Sequence, residues 1–466
     1  MGLLRAATRS LLLSLVCLGG SEPTAAADLA STDWRFTVDP RSFGPVEMVV
    51  RFETDARGVR ASSRSGVGDL LSRLSSDDPS PLGGARLPLA FRLASADGAS
   101  YEGTLDQPGP AVPVRATLGD GRLTGTIAAG PLAGKFEATP FTGSLPPRDY
   151  PAILATLDET VQQRVFEPAQ LRREGWIAFR RRAGEIAVRA CDDADFLLGL
   201  RLAWRNDPFS RFQVKRSAVP FAALVSTFDT MRTGRDSARL AFDGPVATLT
   251  VETMEGADTI EQIDAAFRVI AERKPRALVV DLRDNGGGAF AVRPLVEHLL
   301  GDPLDAGWFV SSRWWRDHGG PPGLGDARAI APWQGWSVIA FWRDVQNQAL
   351  LRFRFEPRAP SFAGPVFVVT NGRSASATEL AADALRAAGR ATIVGEATRG
   401  RMLSGSVFDL TDGFVVTLPV ADYVSAASGR IEGKGVAPDV AVPSSEALER
   451  ALGMAIDAAR EPAQQP

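Results

Sequence analysis

Two stretches of this chain, Ala277-Leu278-Val279-Val280-Asp281-Leu282 and Val366-Phe367-Val368-Val369-Thr370, are apolar almost without interruption rather than alternating. Such runs fit strands covered on both faces, the kind found in sheets flanked by helices. A helical pattern precedes the first run and another follows the second. Asp258 and Glu261 open a helix whose Ile260, Ile263, Phe267 and Ile270 form one stripe, and residues 377–388 make a helix closed by Gly389. With further strands at Val246–Val251, Thr392–Gly395 and 414–420 completing one sheet, the pattern predicts a layered α/β domain over residues 241–445.

The rest of the chain has other textures. Residues 1–27 read as a secretory leader, with Arg5 and Arg9, an apolar run over 11–18, and Ala25-Ala26-Ala27 before Asp28. The run is too short to span a bilayer, and Val16, not a small residue, precedes Cys17. Soluble export to the periplasm or the exterior follows. Residues 28–148 are rich in short apolar runs, Gly and Pro, and predict a β-sandwich or barrel. A hairpin turns at Gly119-Asp120-Gly121, and residues 75–84 form a loop. Residues 149–240 are helical, with Asp192 and Asp195 at a helix start and Phe196, Leu197, Leu200 and Trp204 on one face. Asn206-Asp207-Pro208 ends that helix. Six of the nine tryptophans fall within 305–360, an expected insertion that packs its own small core or grips a substrate. Residues 446–466 give a last amphipathic helix and a tail.

With 52 Lys and Arg against 55 Asp and Glu, nothing argues for nucleic acid or an anionic membrane as a partner. Once the leader is removed Cys191 stands alone, which excludes an intramolecular disulfide and a thiolate metal cluster. Its apolar setting reads as a small core residue. The lysines are Lys135, Lys215, Lys274 and Lys434, and the histidines His298 and His318.

Two segments have the composition of a site. Asp281-Leu282-Arg283-Asp284-Asn285-Gly286-Gly287-Gly288 follows a buried strand directly. Its glycines allow a tight turn, or a turn that presents bare N–H groups to an anion. Asn371-Gly372-Arg373-Ser374-Ala375-Ser376-Ala377 joins a strand to a helix, where a serine either caps the helix or faces the carboxyl edge of the sheet as a reactive group.

Taken together, and followed by Gly389-Arg390-Ala391-Thr392-Ile393-Val394-Gly395-Glu396-Ala397-Thr398 and Glu432-Gly433-Lys434-Gly435-Val436-Ala437-Pro438-Asp439, these segments resemble the catalytic domain of the C-terminal-processing (tail-specific) serine peptidases. The resemblance is to the branch of the tricorn core and the interphotoreceptor retinoid-binding protein. It covers residues 242–443 well and residues 176–217 loosely. It implies a crotonase/ClpP-like α/β fold, Ser376 as nucleophile, and an oxyanion hole from Ala377 with Gly287 and Gly288. Ser210 and Asn285 are implied binding residues, and peptides or unfolded proteins the substrates. No metal or organic cofactor is implied.

The chain departs from the family at the base. One branch uses a lysine where this chain has Arg401, and the other a histidine where Pro208-Phe209-Ser210-Arg211-Phe212 places Arg211, with the partner glutamate kept as Glu432. A guanidinium has no acceptor lone pair, so neither arginine can take the serine proton. Two readings follow. One is an exported peptidase of weak activity, with a substitute base such as His318 or Lys434 open. The other is a degenerate member that binds a peptide carboxylate or an apolar ligand beside Arg211 and Arg401.

Overall fold

The computed structural model describes residues 29, 32–40, 44–55, 58–63, 90–95, 97–106, 111–204 and 209–460. The expected leader, the 75–84 loop, the 206–208 helix breaker and the 461–466 tail lie outside them. The chain separates into two units, Met1–Arg41 with Glu47–Pro146, and Ser42–Val46 with Pro147–Pro466.

In the first unit the strands β1 (Asp33–Pro40), β2 (Val46–Asp55), β3 (Gly58–Ser63), β4 (Ala90–Ala94), β5 (Ser100–Asp106), β6 (Val112–Gly119), β7 (Arg122–Ile127) and β8 (Gly134–Phe141) close into a barrel in chain order. Of the two architectures left open, the barrel is the one observed. Its interior is filled by aromatic rings: Phe36 stacks on Phe91 at 5.4 Å and on Phe136 at 5.3 Å. The β6–β7 turn has Asp120 at φ 53° and Gly121 at φ 70°, the left-handed pair that suits a two-residue hairpin.

The second unit opens with α1 (Tyr150–Arg164), α2 (Glu174–Arg189) and α3 (Asp193–Ala203). Asp192 caps α3 by accepting the Asp195 N–H at 2.9 Å, as its sequence suggests. Cys191, expected in the core, is exposed. It precedes the cap in the α2–α3 connection, off the buried face of either helix. After a short strand β9 (Gln213–Arg216) and the one-turn helix α4 (Phe221–Ser226), the chain enters two sheets.

The first sheet runs β10 (Ala238–Asp243), β11 (Val246–Val251), β12 (Ala277–Asp281), β15 (Val366–Thr370), β16 (Thr392–Gly395) and β20 (Val440–Ala441). It is parallel from β11 onward. The second is antiparallel, in the order β14 (Leu350–Phe355), β13 (Leu304–Ser311), β18 (Phe414–Ser425) and β17 (Ser404–Asp409), with β9 and β19 (Gly429–Arg430) also on β18. Helices α5 (Ala257–Arg273), α6 (Val292–Glu297) and α10 (Ala377–Ala387) share one apolar core with both sheets.

One expectation is corrected here. The strand beginning at Phe414 belongs to the second sheet, and β20 ends the first. It reads like a core parallel strand because it too is covered twice, with Tyr423 in the core and Phe414 against Tyr150 and Phe196 of the helical layer. The tryptophan-rich stretch packs the small core expected of it and carries sheet strands besides. It supplies β13 and β14, with α7 (Ser312–Asp317), α8 (Leu324–Arg328) and α9 (Val338–Asn347) between them, and Trp308 and Trp314 pack a small cluster of their own.

The last helix, α11 (Ser444–Arg460), covers the opposite face of the first sheet with Ala447, Ala451, Ala455 and Ala459, spaced one turn apart and all buried. These methyl groups share one buried cluster with Val279, Val369 and Val394. Ala451→Leu should therefore overpack this seam and lower unfolding free energy by about 1–3 kcal/mol, read from chemical denaturation. Leu at exposed Glu449 should have little effect.

Candidate active site

Parallel pairing of β12 with β15 sets Asp281 opposite Val369, so the segments that leave both strands emerge side by side on one edge. Asn371 laces them together. Its Oδ1 accepts the N–H groups of Asp284 and Arg373 at 3.1 and 3.0 Å, and its Nδ2 donates to Asp284 Oδ1 at 2.6 Å. Ser374 Oγ donates to Leu282 O at 2.8 Å, and Ala375 N–H to Asn285 O at 3.0 Å. Ser374 is thereby a fully buried structural hydroxyl, which leaves Ser376 as the serine able to meet a ligand.

Ser376 sits immediately before α10 at φ 60°, ψ −121°, a region costly for a residue with a Cβ. Such strain persists only where surrounding contacts over-determine it, and here the contacts are explicit. The Ser376 N–H donates to Glu379 Oε2 at 2.7 Å. That carboxylate, fully buried, also takes the Arg401 N–H at 2.9 Å on Oε2, and the Gly400 N–H and Thr398 hydroxyl at 2.7 Å each on Oε1. Thr398 Oγ1 in turn accepts the Val436 N–H at 2.7 Å. One carboxylate thus clamps the serine turn to the 398–401 loop and, through Thr398, to the 431–436 turn. The spacing of Ser376 and Glu379 is that of a capping box, the one local signal of this role.

The glycine turn touches the serine directly. A Cβ on Gly287, at φ 91°, would lie 2.6 Å from Ser376 Cβ and 3.0 Å from Ala377 N. The turn is held by Asn285, whose Nδ2 donates to Val251 O and whose Oδ1 accepts the Gly287 N–H, both at 2.9 Å. Two expected roles change as a result. Asn285 is buried with its amide spent on the backbone, so it shapes the turn and leaves nothing for a ligand. The Gly287 N–H is likewise taken. Ala377, at the first position of α10, and Gly288 keep N–H groups with no partner among the described residues.

Ser376, Ala377, Gly286 and Gly288 line a cavity of about 340 Å³. Its walls are largely apolar, including Phe290, Phe309, Phe341, Trp342, Met231 and Leu380, and its charged members are Arg211, Lys215 and Glu255. Arg211 reaches this cavity because its neighbours are anchored. Phe212 stacks on Trp204 at 4.0 Å and Phe209 on Trp176 at 6.1 Å, leaving Arg211 between them at φ 64°. Burial pulls its guanidinium below the ordinary arginine value, while Glu432 and Glu379 push it back up and the nearby Arg401 lowers it further. It remains a cation, not a base.

Arg401 is fixed by its backbone to Glu379, and its side chain is not among those lining the cavity. Glu432 Oε2 accepts the N–H groups of Met402 and Leu403, at 2.6 and 3.0 Å, and so holds two cavity residues in place. Ser210 Oγ is buried without a hydrogen-bond partner, and it too is absent from the cavity wall. Neither histidine is near. His298 is buried between Asp264 Oδ1 (2.9 Å) and Pro360 O (2.8 Å), and His318 lies flat on Trp314 at 3.7 Å. Lys434 is exposed on its turn. Lys215, which the sequence reading passed over, is the amine in the cavity wall. Among the described residues no group of three or more His, Cys, Asp or Glu side chains could hold a metal ion.

A strained serine at a strand–helix junction, beside unpaired backbone donors in an apolar cleft, is the geometry of serine-type hydrolases. Residues 245–442 match the model of peptidase family S41. The chloroplastic C-terminal processing peptidase of Tetradesmus obliquus is 31% identical over 183 residues, 39% of this chain and 32% of that protein. The carboxyl-terminal-processing protease of Picosynechococcus sp. is 36% identical over 116 residues, 23% of this chain and 28% of that protein. The chain thus matches about a third of the length of these curated relatives. Among solved structures, the photosystem II D1 C-terminal processing protease aligns with a TM-score of 0.40 and 18% identity, over 64% of this chain and 94% of that one.

Two substitutions test the geometry. Gly287→Ala should fail to seat its methyl against Ser376 and Ala375 O, abolishing any serine reactivity and lowering the melting temperature. Glu379→Gln replaces an acceptor of four hydrogen bonds by a group that also donates, and should cost about 2–4 kcal/mol in denaturant unfolding.

Proposed function

We propose that this chain is an exported serine-type peptidase that cuts peptides or unfolded proteins near their carboxyl ends. Ser376 is the nucleophile, and the N–H groups of Ala377 and Gly288 stabilise the oxyanion. The observation that supports this best is the clamped, strained turn that sets Ser376 against the glycine bend at the wall of an apolar cavity. The crotonase/ClpP-like label for the sheet and helices rests on the same family relationship. Export rests on the pattern of residues 1–27. No described helix is long and apolar enough to cross a membrane.

In this reading the Ser376 Oγ adds to the scissile carbonyl carbon to give a tetrahedral oxyanion while water takes the hydroxyl proton, because Arg211 and Arg401 occupy the places of a base. The C–N bond then breaks as water protonates the departing nitrogen, and a further water hydrolyses the acyl-serine to the free acid. Acylation is slow, while the oxyanion donors and the bound geometry still act. Arg211 then serves as a fixed cation beside the reacting carbonyl, with Glu432 holding the loop that follows Arg401.

A fluorophosphonate probe should label the protein slowly, and Ser376→Ala should remove the label. Arg211→His places an imidazole at the end of an anchored loop and should raise peptide hydrolysis by about 100-fold or more. Absence of labelling in the parent and in Arg211→His, with peptide still bound, would assign the cavity to binding without turnover.

A further inference from the structure

The segment that leaves β11 runs alongside the glycine turn and is bonded to it. The Met254 N–H donates to Gly287 O at 2.9 Å, and the Ala289 N–H to Met254 O at 3.0 Å, so Met254 and Gly288 pair in parallel. The Thr253 hydroxyl donates to the same Gly287 carbonyl at 3.2 Å. Glu255 follows directly. Its N–H donates to Thr253 Oγ1 at 3.1 Å, and its carbonyl accepts the Thr259 hydroxyl at the start of α5. A Cβ on Gly288 would lie 2.4 Å from Glu255 N and 2.7 Å from Glu255 Cγ, so the missing side chain is the space that the glutamate stem fills. Ser376 Cβ stands in the same relation to Gly287, at 2.6 Å. Neighbouring Cα atoms are about 3.8 Å apart. Glutamate and serine therefore pack on consecutive glycines, and both line the cavity.

Glu255 is the one carboxylate in that wall, beside the cations Arg211 and Lys215. Burial lowers the Arg211 guanidinium, and Glu432, Glu379 and, more weakly, Glu255 raise it again, so Glu255 shares the electrostatic field of the candidate site. The other two carboxylates are engaged: Glu379 takes four donors, and Glu432 takes the Met402 and Leu403 N–H groups. Glu255 is exposed, and its carboxylate has no hydrogen bond or ion pair among the described residues. It has acceptor lone pairs to spare and water at hand.

Building on the peptidase reading, we propose that Glu255 is the general base of the hydrolytic half-reaction, acting on the water that attacks the acyl-serine. At that stage Ser376 Oγ is esterified and has no proton to lose. Water is the nucleophile that needs a base. Glu255 takes one proton from the water as its oxygen adds to the acyl carbon, and the oxyanion formed rests on the N–H groups of Ala377 and Gly288. That intermediate collapses with loss of Ser376 Oγ, to which Glu255 returns the proton. A carboxylic acid leaves, and serine and glutamate stand as they began. Arg211 offsets the negative charge that Glu255 would otherwise set against the oxyanion.

The lifetime of the acyl-enzyme reads this step alone. Parent and Glu255→Gln proteins are mixed with the p-nitrophenyl ester of N-acetyl-leucine, freed of excess ester, and followed by intact mass. Both should acquire one acyl group, absent in Ser376→Ala, and the Glu255→Gln adduct should persist about 100-fold longer. Hydroxylamine, a neutral nucleophile that needs no base, should discharge both adducts at the same rate. Equal lifetimes in water, or ester turnover by Glu255→Gln without accumulation of adduct, overturns the proposal and leaves the peptidase reading in place. Slow discharge of the Glu255→Gln adduct by hydroxylamine also overturns it, since a distorted oxyanion site would then explain the loss. A parent that takes up neither ester nor fluorophosphonate fails at Ser376 itself, and both readings fall together.

Discussion

Everything at the candidate site depends on two strands lying parallel and adjacent. Pairing of Ala277–Asp281 with Val366–Thr370 brings the segments that leave them to one edge, although about ninety residues separate them in the chain. Parallel strands end on the same side, so a turn from one and a helix start from the other meet without either being long. The glycine bend and the serine are close because the sheet makes them so. Asn371 and Asn285 then convert proximity into registration by spending their amides on neighbouring backbone.

Glu379 performs the second consolidation. A buried carboxylate without partners is expensive, and this one is satisfied by four donors from two segments of the chain, the serine turn and the 398–401 loop. The arrangement is reciprocal. The serine turn gains its unusual dihedrals from the carboxylate, and the carboxylate is affordable only while the 398–401 loop is in place. Strain at Ser376 and order in a loop more than twenty residues away are one property.

Much of this was legible in the sequence, and the limits have physical causes. Strands β12 and β15 stood out because burial on both faces removes alternation, α5 because its apolar residues recur on one face, and α10 because Gly389 closes it. The same criterion misassigned β18, since an antiparallel strand covered twice looks no different from a parallel one. Gly286–Gly288 and Ser376 announced themselves as unusual residues next to strong elements. Glu379 did not, because its partners Thr398, Gly400 and Arg401 are distant in sequence. Lys215 was missed because a four-residue strand is too short to show which way its side chains alternate. Asn285 and Gly287 were named for their position in a motif, but which donors a turn consumes internally is visible only in three dimensions.

The loop that carries Arg211 has a consequence for how such a site can change over time. Phe209 and Phe212 are inserted among Trp176, Phe179 and Trp204, so the backbone path is dictated by aromatic packing and not by the residue they flank. Position 211 is in that sense a socket: what is plugged into it alters the chemistry of the cleft while the wall behind stays as it was. The left-handed backbone there is one that His and Asn tolerate better than Arg. The arginine is thus held against local preference by a scaffold indifferent to its identity, and inheritance of the fold need not carry inheritance of the reaction.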